Sequence, residues 1–247
     1  MRLAVISDIH SNLEAFRAVL EDIKKVRAEK VISLGDNIGY GADPEEVMNL
    51  IRKHQIESVM GNHELALMDP SYLRSFHPHA GKALSVNSKL LSAGSLEDIK
   101  RMPVRLVRRD CRFVHGFPPD SVTTYIIHQP RGIITSAMEN MTESIAFTGH
   151  THYLGLYELK QGSLKIHGLD KWGVALDENR RYIVNAGSVG QPRKGEILAT
   201  YVIWDSVRSI IVPRFLEYDN QTAAGKIRKA GIPGRIADRL VYPEGGR

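Results

Sequence analysis

Five apolar segments of the sequence each end in side chains that can bind a metal ion. The first begins at residue 2 and ends in Asp8-Ile9-His10, where the acid and the imidazole project to the same side of an extended chain. The others end in Gly35-Asp36, Gly61-Asn62-His63, His115-Gly116 and Gly149-His150-Thr151-His152. A single ending of this kind is usually ordinary turn chemistry. Their recurrence in one chain predicts a common metal site.

The donors in these endings are imidazole, carboxylate and carboxamide groups, without a thiolate. This set favours Mn, Fe, Co, Ni or Zn over a structural cysteine-zinc site, and we take Mn as the first choice. The candidate ligands exceed what one ion takes when positions stay open for solvent: Asp8, His10, Asp36, Asn62, His115, His150 and His152. We therefore expect two divalent ions about 3.5–4 Å apart, a pair that can clamp both the attacking and the leaving oxygen of a phosphoryl displacement.

The predicted elements would bring the endings to one edge of a sheet. Residues 2–7, 30–37 and 56–64 predict buried strands, and helices are predicted at about 12–28 and from Pro44 onward. Ser11 and Glu14 fit a capping box, and Asp43 fits the N-cap of the second helix. Alternating strands and helices indicate a parallel sheet, whose ligands bind outside the carboxyl ends of the strands.

The rest of the chain predicts a different pattern. Residues 65–102 contain helical patterns at about 80–91 and 95–102 and could form a lid. After residue 102 short strands dominate, and we expect them to form a second, largely antiparallel sheet packed on the first. The tail at about 221–240 is predicted to be helical. We expect one domain over residues 1–247 that contains this lid-like insertion and this tail.

Composition narrows the function classes. The chain is 43% hydrophobic and 25% charged, as in folded globular proteins, and its net charge of +5 suits an anionic ligand. No apolar stretch approaches the roughly 20 residues of a membrane helix, so we expect a cytoplasmic protein without a membrane partner. The single cysteine, Cys111, lies in an apolar run and is expected to be buried rather than nucleophilic.

The ordered endings, read with Glu64 after His63, resemble the calcineurin-like metallophosphoesterase superfamily. The segments GYGADP (39–44), HGFPPDSVTTYI (115–126) and NAGSVGQPR (185–193) are similar to a bacterial and archaeal branch of diadenosine-tetraphosphatase-like or general phosphodiesterases. The resemblance implies an α/β fold, a four-layer αββα sandwich of two mixed sheets flanked by helices. It also implies that Asp36 bridges two ions, one held by Asp8, His10 and His152 and the other by Asn62, His115 and His150.

The resemblance further implies that a hydroxide between the ions attacks phosphorus. His63 would then protonate the leaving alkoxide, a general-acid role that suits imidazole near neutral pH. Serine/threonine protein phosphatases have an acid three residues after the bridging aspartate and an arginine soon after it. Here that stretch is Asp36-Asn37-Ile38-Gly39-Tyr40. The residue that orients His63 is therefore unassigned, and a phosphoprotein substrate is disfavoured.

The expected substrate is a small phosphodiester, phosphoanhydride or phosphomonoester, with nucleotides among the candidates. Tyr40 could line its entrance, or Gly39 and Gly41 could simply make a turn. Arg193 could reach a phosphate, or it could belong to a turn before the next strand.

Two other functions stay open. A nuclease of the same superfamily would need a long basic track, which the sequence shows poorly, so nucleic acid is not the favoured ligand. A non-catalytic interaction scaffold on the same fold would have lost His63 or several ligands, and all of them are present.

Overall fold

Two six-stranded mixed sheets form the centre of the molecule. The computed structural model describes residues 1–193 and 197–242. The strands are β1 (Arg2–Ile6), β2 (Lys30–Ser33), β3 (Glu57–Ser58), β4 (Arg105–Arg108), β5 (Cys111–Val114), β6 (Ile145–Thr148), β7 (Leu154–Lys160), β8 (Ser163–His167), β9 (Val174–Ala175), β10 (Arg181–Ala186), β11 (Ala199–Asp205) and β12 (Ile210–Leu216). The helices are α1 (Leu13–Lys25), α2 (Pro44–Lys53), α3 (Asn62–Met68), α4 (Pro70–Leu73), α5 (Pro78–Leu90), α6 (Ala93–Lys100), α7 (Arg131–Asn140), α8 (Asn220–Lys229) and α9 (Gly234–Asp238).

The strand order explains how distant ligands meet. The first sheet runs β3-β2-β1-β11-β12-β9, with β1, β2 and β3 parallel. The second runs β4-β5-β6-β10-β7-β8, with β5, β6 and β10 parallel. The prediction that the later strands all belong to the second sheet is wrong, because β9, β11 and β12 extend the first. Tyr201, Val202 and Ile203 are all buried, so β11 needs a central place and pairs with β1.

The core has three apolar layers. Side chains between the two sheets include Val5, Phe113 and Phe147, and the two phenyl rings stack 5.2 Å apart. Phe16 and Val19 of α1 pack on the outer face of the first sheet. Ile134 and Met138 of α7 pack on the outer face of the second. The four-layer αββα architecture predicted from the sequence is thus confirmed.

Two predicted chain segments differ from the structure. The N-cap of α1 is Asn12 rather than Ser11, because the Asn12 side chain accepts the Ala15 N–H at 3.1 Å. The predicted strand at 56–64 is only Glu57–Ser58, since the chain turns into α3 at Asn62. Glu64 explains the turn: its carboxylate accepts the Gly61 N–H at 2.9 Å and so closes the first turn of the helix.

The sequence predicts the positions of α2, α5, α6, α8 and α9, but it does not predict α4 and α7. The insertion contains α5 and α6, and α2 begins at Pro44 after the N-cap Asp43. In the C-terminal tail, α8 and α9 pack through Ala224 and Ile236 in one apolar cluster that also contains Ala83 of α5. No helix among the described residues is long and apolar enough to cross a membrane. The lid-like role of the insertion and the cytoplasmic location stay predictions.

Candidate metal centre

The loops that carry the candidate ligands hold an unfavourable backbone conformation. Asp8, His10, Asp36, His150 and His152 have φ angles of 55°, 49°, 52°, 64° and 64°, in the left-handed region that non-glycine residues avoid. Backbone hydrogen bonds tie the loops together: the Asp8 N–H donates to Gly35 O at 3.0 Å and the His10 N–H to Asp36 O at 2.9 Å. Such conformations persist only where the surroundings over-determine them, as at functional sites.

One cluster of donors gathers Asp8, His10 and His152. The Nε2 atoms of His10 and His152 lie 3.2 Å apart. Asp8 Oδ1 lies 3.2 Å from His152 Nε2 and 3.6 Å from His10 Nε2. All three residues are buried, so their donor atoms face one another without bulk water between them.

A second cluster gathers Asp36, His115 and His150, with Asn62 beside them. His115 Nε2 lies 3.3 Å from Asp36 Oδ2, 3.1 Å from His150 Nδ1 and 3.0 Å from Asn62 Oδ1. Asp36 Oδ2 is also 3.7 Å from His10 Nε2, in the first cluster. The structure therefore brings together all the predicted ligand residues, with Asp36 between the two groups.

The outer ring nitrogens show that these histidines fit a cation. Each outer nitrogen lies close to a backbone carbonyl oxygen, which accepts hydrogen bonds but cannot donate them. The four contacts are Ile38 O at 3.1 Å from His10 Nδ1, Leu34 O at 2.9 Å from His115 Nδ1, Thr123 O at 3.1 Å from His150 Nε2 and Gln191 O at 2.7 Å from His152 Nδ1. This contact places a proton on the outer nitrogen and a lone pair on the inner one, as in metal-binding histidines. Asp8 Oδ1 is buried and accepts no hydrogen bond among the described residues. Lone pairs and anionic oxygens that converge in this way require positive charge between them.

The ionisation of the clusters agrees with this requirement. Burial lowers the pKa of His150 to about 3 and that of His152 to about 4. Burial opposes ionisation of Asp36, yet the neighbouring histidines, His115 first, hold its pKa below the usual range. Burial would also lower the pKa of His115, but Asp36 raises it to about 9. The Asp36 carboxylate thus keeps its negative charge and favours a cation beside it.

His63 is positioned by packing rather than by an acidic partner. Its ring lies between the rings of Tyr40 and Phe76, with centroids 4.7 and 4.9 Å away. Its Nε2 is 4.0 Å from Asp36 Oδ2, while Nδ1 is buried and has no hydrogen-bond partner among the described residues. A Cβ atom at Gly39 would lie 2.0 Å from Nδ1. The glycine found at the position of the missing acid therefore makes room for the ring.

The ionisation of His63 depends on what binds beside it. Burial lowers its pKa to about 3, although Asp36 acts in the opposite direction. With these neighbours alone the imidazole is neutral at pH 7. A further anionic group beside it would raise this pKa and favour the protonated form.

The two predicted substrate contacts lie at the rim of the clusters. The Tyr40 ring is 4.6 Å from the His10 ring, and burial raises the pKa of its hydroxyl to about 12, so Tyr40 stays neutral. Arg193 lies close to Tyr125, whose ring stacks on His150 at 3.7 Å. The Arg193 Nε atom is buried without a hydrogen-bond partner among the described residues. The rim thus offers an unsatisfied cationic donor next to the second cluster.

Sequence reasoning missed two residues that hold the loops. The Glu64 carboxylate accepts the backbone N–H groups of Asp36 at 2.9 Å and Asn37 at 2.7 Å, in addition to that of Gly61. Asn87 of α5 accepts the Gly39 N–H at 2.6 Å and donates to Gly41 O at 2.8 Å. Glu64 belongs to the Gly61-Asn62-His63-Glu64 motif, but the sequence alone assigns it no role. No local sequence pattern identifies Asn87 as a residue that holds a loop.

Comparison with known proteins places the chain in a family. Residues 1–208 match the model of the calcineurin-like phosphoesterase superfamily domain. The protein MJ0912 of Methanocaldococcus jannaschii is 34% identical over 243 residues, which cover 96% of each chain. A metallophosphoesterase structure from Sphaerobacter thermophilus is 32% identical, with a TM-score of 0.83 and coverage of 97% of this chain and 98% of that one.

Protein PH1004 of Pyrococcus horikoshii has the same fold at lower identity. It is 21% identical, with a TM-score of 0.81 and coverage of 100% of this chain and 99% of that one. The family match over most of the chain agrees with the buried histidine and aspartate clusters described above. The chain belongs to the calcineurin-like phosphoesterase superfamily and is a metal-dependent phosphoester hydrolase.

Proposed function

We propose that the protein uses two divalent ions, Mn first among the candidates, to hydrolyse a small anionic phosphoester. The substrate would be a phosphodiester, phosphoanhydride or phosphomonoester, with nucleotides among the candidates. The observation that carries the proposal is the position of Asp36, whose Oδ2 lies 3.7 Å from His10 Nε2 and 3.3 Å from His115 Nε2. The same anionic oxygen thus faces a histidine of each cluster and has lone pairs for two ions, while Oδ1 accepts the His63 N–H at 2.8 Å.

The donor residues divide between the two ions. Asp8, His10 and His152 would hold one ion, Asn62, His115 and His150 the other, and Asp36 both. Bound ions would lower the pKa of a water molecule and neutralise charge on the phosphoryl oxygens. Asn62 supplies a neutral oxygen, which limits the build-up of negative charge, and the outer carbonyl contacts keep each histidine lone pair aimed inward.

His63 would move the proton to the leaving oxygen. A phosphoryl group beside its Nε2 would add negative charge and so raise the pKa of the imidazole from its low value. The packing of Tyr40 and Phe76 keeps the ring in place without a hydrogen bond to Nδ1. Arg193 would neutralise a phosphate oxygen that reaches the rim.

The basic residues of the β4–β5 hairpin do not favour a nuclease. Arg105 pairs with Asp120 at 3.0 Å, and Arg112 pairs with Glu143 at 2.8 Å. These cations are already neutralised within the protein, so they supply no continuous basic track for a strand of nucleic acid. A small substrate is therefore the better-supported choice.

The proposal is tested with a chromogenic phosphodiester, bis(4-nitrophenyl) phosphate, and added Mn. We expect turnover by the wild-type protein. Because 4-nitrophenolate leaves with little need for a proton, a loss of about 10²–10⁴-fold in His63→Ala, the range for a general acid, is expected for a phosphodiester with an alkyl leaving group and a smaller loss for the nitrophenyl ester. Elemental analysis should find the same metal content in both proteins. His54→Ala removes an exposed histidine at the C-cap of α2 and serves as the control. Unchanged turnover of the alkyl ester in His63→Ala would exclude the general-acid role.

A further inference from the structure

A groove leads out of the metal centre on the side of His152. We call it the His152 groove; it is bounded by His152, Arg193, Leu169, Leu198 and Phe215. Its volume is about 220 Å³. Pockets for drug-sized ligands are larger, at about 300–1,000 Å³, so the groove suits one ring rather than an extended molecule.

Several apolar side chains line the groove beside polar ones. Leu169 is buried at the sheet edge, and Leu198 and Phe215 are partly exposed toward the groove. Thr200 also lines it, but its hydroxyl already accepts the Ser188 N–H at 2.9 Å and donates to Ser188 O. The Thr200 hydroxyl is therefore not free to bind the hydroxyl groups of a sugar or a polyol. A flat apolar ring needs no hydrogen-bond partner and can pack against the apolar side chains.

Arg193 supplies the one cationic group of the groove among the described residues. It stands at the inner end, where His152 also lines the wall, and its buried Nε atom has no hydrogen-bond partner among these residues. The inner end thus suits an anion and the remainder suits an apolar group. A phosphoryl group with an aromatic substituent has the same arrangement, since its charged end would face Arg193 and its ring the apolar side chains.

Aromatic surface continues beyond the groove. Phe215 is 36% exposed and also lines a second recess that contains Trp172, which is 79% exposed. The turn that presents Trp172 is held by Asp170, which accepts the Trp172 N–H at 2.9 Å and the Gly173 N–H at 3.1 Å. The recess thus presents an exposed indole beside Phe215, with the Lys171 ammonium 5.1 Å from the centre of the indole ring.

We propose that the His152 groove binds a planar aromatic substituent that stays on the phosphoryl group when the leaving alcohol departs. The inference rests on the proposed function for the orientation of the ester. His63, the donor to the leaving oxygen, lies against Tyr40 and Phe76, none of which lines the groove. The groove is therefore available to the substituent that is not protonated by His63. The substrate class is a phosphodiester with one aromatic or nucleobase-like group.

A kinetic comparison tests the groove with one leaving group. Phenyl 4-nitrophenyl phosphate and methyl 4-nitrophenyl phosphate both release 4-nitrophenolate, so they differ only in the retained substituent. We expect Phe215→Ala to lower kcat/KM for the phenyl ester about tenfold, through KM, and to leave the methyl ester within about twofold, since one aromatic stacking contact has this size. Leu198→Ala should act in the same direction. Val207→Ala removes an exposed side chain at the far end of the same hairpin and is the control.

A binding measurement separates this inference from the proposed function. Phenylphosphonate and methylphosphonate cannot lose their substituents, and titration calorimetry on the Mn-loaded protein gives their dissociation constants. We expect phenylphosphonate to bind about tenfold more tightly, with the preference lost in Phe215→Ala. Equal binding of the two phosphonates would overturn the groove proposal even if both diesters are hydrolysed. Hydrolysis of neither diester would contradict the proposed function, while the calorimetric preference would still support the groove.

Discussion

The two ends of the central parallel strands differ in what they bury. At the carboxyl ends, aspartates and histidines are buried with left-handed backbone conformations, as at Asp8 and Asp36. Near the amino ends the left-handed non-glycine residues are exposed turn positions: Arg27, Gln55, Arg109, Gln161 and Ser209. Cys111 also lies at the amino ends and is buried, as predicted. Burial raises the pKa of its thiol to about 12, which disfavours the nucleophilic thiolate.

This difference separates strained backbone that places candidate metal ligands from strained backbone that only makes a turn. An exposed turn residue with positive φ needs no partner, because water solvates its polar groups. At Asp36 the same conformation is buried and is held by Glu64 and by the loop after β1. We therefore expect substitutions at the carboxyl ends to alter metal binding and turnover. Matched substitutions elsewhere should change stability alone.

The largest effect is expected from the bridging carboxylate. Asp36→Asn removes the anionic oxygen between the clusters, and the loss of several kcal/mol of charge stabilisation lowers kcat by at least about a thousandfold. Asp205→Asn is the matched change at the other end, where a buried aspartate accepts the Val207 N–H at 3.1 Å. It should lower the melting temperature and leave kcat unchanged. Equal kcat values for the two variants would contradict the contrast between the ends.

A smaller effect is expected from the buried glutamates, Glu64 at 0% and Glu143 at 6% exposure. Both substitutions leave hydrogen-bond donors without a charged acceptor and so lower stability. Glu64→Gln should also weaken Mn binding by about 10–100-fold, the usual cost of disturbing residues that orient ligands. Glu143→Gln breaks the pair with Arg112 and should leave Mn affinity unchanged. Calorimetric Mn titration of both variants decides between these outcomes.

Two glycines sharpen the comparison further. Gly39 and Gly162 have φ angles of +94° and +75°, so alanine costs about 1–2 kcal/mol of backbone energy at either position. At Gly162 nothing lies within 4 Å of the added Cβ, whereas at Gly39 it meets His63 Nδ1 at 2.0 Å. Gly39→Ala should therefore lower kcat about 10–100-fold because the ring is displaced, and Gly162→Ala should not. A fall in kcat shared by both variants would point to general destabilisation.

The smallest effect concerns stability alone and depends on pH. Burial opposes ionisation of Asp22, but hydrogen bonds from Arg214 and Tyr201 hold its pKa below the ordinary value of 3.8. Because the unfolded state binds the proton more readily, the stabilisation is complete above pH of about 4 and is lost as the pH falls through the lowered pKa. Asp22→Asn should cost about 1–2 kcal/mol at pH 7 and progressively less toward pH 2. Urea unfolding across this range provides the measurement, and a difference that is independent of pH would refute the assignment.

The ligand residues could be predicted because their signal is local and repeated. Asp8, His10, Asp36 and His115 each follow a short apolar run, and parallel strands bring such ends to one edge. The start of α3 could not be predicted, because Glu64 there also bonds the distant Asp36 loop. Asn87 and Tyr125 act through single long-range contacts and leave no periodic trace in the sequence. The sheet assignment of β11 likewise depends on pairing across the whole chain.

In the proposed centre Asp36 joins two metal sites in one chain. The number of Mn ions per chain, measured by elemental analysis after loading and removal of free metal, tests this arrangement. We predict two ions in the wild-type protein and fewer in Asp36→Asn. One ion or none in the folded wild-type protein would contradict the dinuclear account.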